Sequence, residues 1–122
     1  MTTVLIVDRN QDRGNMLSLA ITDLHTSAVD AHDTASSTFA LNYVNFDVIV
    51  MALGPEDPLF ETVIDLAHGL ETKPTILGFQ GEQTHIISEH PTWRPLDSVS
   101  MLRCCRKVWI SLTSPNSVPD AA

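Results

Sequence analysis

The chain has 122 residues, the size of one domain built around one core. Seven Lys and Arg stand against fifteen Asp and Glu, a formal net charge of -8, which argues against a nucleic-acid surface because phosphate contacts need clustered cations. No apolar run approaches the roughly 20 residues that span a bilayer, and Met1-Thr2-Thr3 has neither the basic flank nor the apolar stretch of a signal peptide, so the expectation is a cytoplasmic protein without membrane contact.

Val4-Leu5-Ile6-Val7 is an unbroken apolar run that suits a strand buried on both faces of a sheet and ends at Asp8. Gln11 to about Leu24 places Met16, Leu17, Leu19, Ala20 and Leu24 at helical intervals, with Asn10 or Asp12 as the cap and Gly14 slightly weakening the first turn. Thr26 to Ala31 reads as a second strand, and Thr34 to Tyr43 as a short helix with Ala35, Thr38, Phe39 and Leu41 to Val44 inward. Phe46 to Ala52 is the third strand, 54–58 a turn, and Leu59 to Leu70 a helix facing the sheet through Phe60, Val63, Ile64 and Ala67. Thr75 to Phe79 supplies the fourth strand. Residues 80–93 must then hold a loop, a helix and any fifth strand. That length predicts only a short or displaced fourth helix, read over Gln83 to Glu89, and a very short edge strand within 91–95. Leu96 to about Leu112 is a final helix with Val99, Leu102, Cys105, Val108, Trp109 and Leu112 near one side and Arg103, Arg106 and Lys107 toward its C-terminal end, opposing the helix dipole.

The alternation predicts one α/β domain over residues 1–112, followed by a linker or tail over 113–122 with two prolines and no periodicity. Its right-handed crossovers give a doubly wound, five-stranded parallel sheet with helices on both faces and a shortened fourth helix region. Chemistry in such a fold sits beyond the C-terminal ends of the strands, here Asp8, Arg9, Ala52, Gly54, Phe79 and Arg94. Cys104 and Cys105 are adjacent in a helical pattern, with side chains about 100 degrees apart, and read as structural thiols rather than a disulfide.

Those strand ends resemble the response-regulator receiver domain, of flavodoxin-like fold, across residues 3 to 112, and the resemblance implies the strand order 2-1-3-4-5. In that family a pair of acids closes the first strand and helps bind Mg2+; here the pair is Asp8-Arg9. The third strand ends in an Asp that accepts a phosphoryl group, and Phe46-Asp47-Val48-Ile49-Val50-Met51-Ala52 puts alanine there. The Thr or Ser closing the fourth strand is matched by Phe79, or by Gly78 if the register slips, and the Lys-Pro pair after the fifth strand is matched by Arg94-Pro95. The run Asp8-Arg9-Asn10-Gln11-Asp12-Arg13 is also similar to the N-terminal domains of flagellar and biofilm transcription activators of the sigma-54-dependent class. The resemblance therefore implies a degenerate, phosphorylation-independent receiver. It would act as a regulatory protein-interaction or homodimerisation domain, with an ATPase and a helix-turn-helix domain attached in a longer chain.

The residues agree with that reading. Replacing two carboxylates by Arg9 and Ala52 leaves Asp8 alone for a hard divalent ion, and an aspartyl phosphate needs its own carboxylate nucleophile. Neither a cofactor nor an enzyme activity is expected. Arg9 or Arg94 could pair with Asp8 and close the pocket, and Phe79 would fill the space of a small hydroxyl residue. Two other readings stay open: a small-ligand sensor on the same fold, and a receiver phosphorylated at a displaced carboxylate such as Asp57 or Asp8. The candidate interaction surface comprises Trp93, Met101, Cys104 and Trp109.

Overall fold

The computed structural model describes residues 2–80, 83–88 and 95–113. Its strands are β1 (Thr2–Val7), β2 (Thr26–Ala31), β3 (Val48–Met51), β4 (Thr75–Gln80) and β5 (Gln83–Ser88). Its helices are α1 (Gln11–Ile21), α2 (Thr34–Tyr43), α3 (Pro58–His68) and α4 (Pro95–Thr113). The sheet order is β2-β1-β3-β4-β5, the doubly wound, flavodoxin-like and receiver-like order expected.

The first four strands are mutually parallel, with Val4 beside Val48 and Val48 beside Thr75. Each apolar strand serves two cores because alternate side chains face opposite ways. Leu5, Val7, Ile49 and Met51 pack under α2 and α3, whereas Val4, Ile6, Val48, Val50, Leu77 and Phe79 pack against α1 and α4. Asp47 ties the start of the sheet together, its carboxylate accepting from the Thr3 amide and its carbonyl from that of Thr75.

The fifth strand departs from expectation. β5 runs antiparallel to β4, with Phe79 opposite Thr84 and Gln80 opposite Gln83, so the sheet is mixed rather than wholly parallel. Residues 83–88 form a strand where a short helix was expected, and among the described residues no helix lies between β4 and β5. The reason is one of length: the two-residue link is enough for a hairpin, whereas a parallel crossover needs about a dozen residues or more. The edge strand expected within 91–95 falls mostly outside the described residues, and Pro95 opens α4.

Reversing β5 also reverses the final helix. The first half of α4 lines a cavity of about 450 Å³ through Ser100, Met101 and Cys104, together with Ile21 at the end of α1 and Thr2 and Thr26 at the starts of their strands. Its second half carries Trp109 to Arg13, in the first turn of α1, and to Phe79, near the end of β4. Hence α4 runs antiparallel to α1 and finishes at the C-terminal edge of the parallel strands.

Side-chain placement corrects several expectations. On α1 the buried residues are Gly14, Leu17, Ser18 and Ile21, while Met16 and Leu19 are exposed and Leu24 lies beyond the helix end. On α2 they are Ser37, Ala40 and Leu41, and Phe39 and Tyr43 stack outward with ring centroids 4.6 Å apart. In both helices the spacing of three and four residues, anchored on Leu17 and Leu41, defines the buried stripe, and residues outside it stay exposed regardless of size. Leu59, Val63 and Ala67 are buried on α3, with Phe60 and Ile64 packed at the margin. On α4, Leu102 and Cys105 are buried, and Val99 is exposed. Because that helix continues to Thr113, Arg103, Arg106 and Lys107 sit in its middle rather than its last turn, too far from the end to offset its dipole.

Candidate functional site: a carboxylate clamped at the strand ends

Asp8 follows β1 directly and is fully buried. Its backbone N–H continues the ladder by donating to the Ala31 carbonyl at 2.9 Å, which points the side chain into the space at the strand ends. Asn10 caps α1 by accepting from the Arg13 amide, as one of the two candidate caps was expected to do. Arg13 is therefore the third residue of the helix. Helical side chains lean toward the N-terminus, so its guanidinium reaches back over the strand end.

There it grips Asp8 with two hydrogen bonds. Arg13 Nε donates to one carboxylate oxygen at 2.6 Å and Nη2 to the other at 2.7 Å, and the Asn10 amide adds a third at 2.9 Å. An arginine near a helix N-terminus opposes the macrodipole by about 0.3–1 kcal/mol. With Asp8 buried, losing the arginine alone would leave an uncompensated carboxylate at a cost of about 3–5 kcal/mol, so the arginine is retained at that position despite the dipole.

Aromatic rings close it from the other side. The Arg13 guanidinium carbon lies 3.7 Å from the Trp109 ring centroid, a cation–π contact. Trp109 meets Phe79 edge to face, with centroids 5.4 Å apart and planes at 82°. Phe79 is buried and shares a cluster with Ala52, whose backbone N–H donates to the Val7 carbonyl at 2.8 Å. Asp8, Arg13, Trp109 and Phe79 thus form a continuous stack across the ends of the sheet.

Arg9 does something else. It extends to the rim and pairs with Asp57, Nη2 to Oδ1 at 2.9 Å and Nε to Oδ2 at 3.1 Å. Asp57 also caps α3 by accepting from the Leu59 amide at 2.9 Å. The Arg9 hydrogen bond first, and then the Leu59 amide, hold the Asp57 carboxyl below its ordinary range. The partner of Asp8 is therefore Arg13 rather than Arg9, and Arg94 and Trp93 lie outside the described residues. Sequence reasoning quoted Arg13 only as part of a motif; its position five residues past a buried strand-end acid was the signal that could have found it.

Met101 and Cys104, assigned to an interaction surface, are half-buried against the α1–α4 core, and the Cys104 thiol donates to the Ala20 carbonyl at 3.7 Å. Cys105 is fully buried, and burial pushes its thiol up to about 12.

The site does not fit a divalent ion. Both Asp8 oxygens already accept from cationic or backbone donors, Ala52 offers a methyl group, and among the described residues no three His, Cys, Asp or Glu side chains gather as ligands. Nor is any described helix long and apolar enough to cross a membrane.

No family model matches the sequence, and no curated protein does. Among solved structures, the fold is similar to that of a chain described as the yeast Spc42 trimeric coiled coil, amino acids 181–211, fused to another structure. The TM-score is 0.56 at 10% identity, over 94% of this chain and 85% of that one, a likeness of fold alone.

Proposed function

We propose that this domain is a phosphorylation-independent pseudo-receiver, a regulatory protein-interaction or dimerisation module of a bacterial transcription regulator rather than an enzyme. Its α/β fold is consistent with a small regulatory or protein-interaction domain. The observation that carries the finer reading is the clamp: Arg13 neutralises Asp8 where a receiver would recruit metal, and Ala52 stands where the acceptor would be. A charge held by its own chain needs no incoming ion or phosphoryl group. In this reading the domain is fixed in one state, and regulation comes from what docks on it or is joined to it. An attached ATPase and helix-turn-helix domain in a longer chain would suit that role.

Incubation with acetyl phosphate and Mg2+, followed by intact-mass measurement, tests the proposal. The expected result is no added mass, in the native chain and in Ala52→Asp alike, because Arg13 and Phe79 still obstruct metal and substrate. A stable phosphoryl group on Asp8 or Asp57 would overturn it in favour of a displaced acceptor.

A further inference from the structure

Of the four Lys and Arg side chains without an ion pair among the described residues, three stand on one helix. Arg9 and Arg13 are tied to Asp57 and Asp8, and Lys73 donates to the His68 carbonyl. Arg103, Arg106 and Lys107 are exposed on α4 and have no ion-pair partner among the described residues. In a chain of net charge -8 this is a local reversal of sign.

Two of the three line a groove. Val99, Leu102, Arg103 and Arg106 form its wall and Thr84 of β5 its floor, enclosing about 400 Å³. Thr84 pairs with Phe79, which faces the α1–α4 side, so Thr84 lies on the same sheet face as α4 and is exposed there. Beside it lies the outer edge of β5, the last strand in the sheet, with no strand partner among the described residues. The N–H and C=O groups along that edge, paired with no strand among the described residues, are a template for an added strand.

The spacing along α4 selects what such a strand should carry. Val99, Arg103, Arg106 and Ile110 fall on one stripe, the last three rising about 6, 10 and 16 Å above Val99 at 1.5 Å per residue. Alternate residues of a strand advance about 7 Å each, so side chains two apart reach successive members of the stripe, the long arginines absorbing the mismatch. Val99 and Ile110 are 44% and 41% exposed, leaving apolar contacts at either end of the arginine pair.

We infer that the α4–β5 groove binds an extended acidic segment of a partner protein, paired to the edge of β5 and presenting two carboxylates, two residues apart, to Arg103 and Arg106. The inference rests on reading the domain as an interaction module and names the chemistry of its partner.

Fluorescence anisotropy with a labelled peptide of sequence Val-Thr-Glu-Thr-Glu-Thr-Val tests it. The expected result is salt-sensitive binding that falls at least about tenfold in the Arg103→Glu/Arg106→Glu variant, which should instead bind the Lys-for-Glu peptide. No binding to the native chain, an equal affinity after charge reversal, or tighter binding of a single-stranded oligonucleotide of the same charge would overturn it. So would a concentration-dependent dimer abolished by the reversal, which would give the groove to a second copy. Repeating the titration with acetyl phosphate and Mg2+ separates the two proposals: an affinity that changes on phosphorylation removes phosphate independence and leaves the groove standing.

Discussion

Arg13 spends its charge inward. Because Asp8 is fully buried, removing its partner leaves an uncompensated carboxylate, and Arg13→Ala should lower unfolding free energy by about 3–5 kcal/mol. Replacing both, as Asp8→Asn with Arg13→Met, should recover most of that loss, because no unpaired charge then remains. Urea melts of the single and double variants measure the coupling, and additive losses would show the pair is not acting as a unit. The acid was legible in sequence because it follows four fully buried residues, Val4 to Val7. Its partner was not, since Arg9 and Arg94 were judged by nearness in the chain or by family position, whereas the lean of a helical side chain is what brings Arg13 across.

Asp57 shows how one side chain serves two elements. It caps α3 and holds Arg9, yet only the first task should register strongly in stability. Asp57→Ala should cost about 1 kcal/mol through the lost cap, while Arg9→Ala should leave the melting temperature close to that of the native chain, because that arginine is half exposed and its pairing is screened. Thermal melts of the two variants distinguish cap from ion pair. Among the elements, β1, β3 and β4 were readable from continuous apolar runs, whereas their order came from the family resemblance, since crossover handedness alone permits other orders. The β4–β5 hairpin was missed although Thr84, Ile86 and Ile87 favour a strand and Gly81 sits in the link. The established alternation of strand and helix argued for a helix there. The shortage of residues between 80 and 93 was the better guide, and omitting the crossover helix altogether satisfies it.

Across the whole molecule, stability should depend on pH at both ends. Asp57, Asp33 and Asp23 are held below their ordinary range, chiefly by Arg9, by the Ser36 hydroxyl and by the His25 amide respectively. Their contribution is present above the ordinary carboxylate value near 4 and disappears as acid protonates the folded state. Cys105 acts in the opposite direction. Burial, and then the neighbouring Cys104, raise it from 9.0 to about 12, so folding is favoured while the thiol stays protonated. That contribution is intact below about pH 9 and is lost between there and about 12, at about 1.4 kcal/mol per unit. Urea midpoints measured from pH 7 to 10.5 should show the alkaline decline, and Cys105→Ala should flatten it.

The reversed course of α4 reaches beyond its packing. In a sheet with every strand parallel, the closing helix would descend to the pole opposite the strand tips. Here Thr113 finishes a turn past Trp109, on the same side as Arg13 and Phe79. The end of α4 at Thr113 therefore lies beside the clamp, so a module grafted onto that helix end from an all-parallel relative would start from the wrong pole and face a different surface.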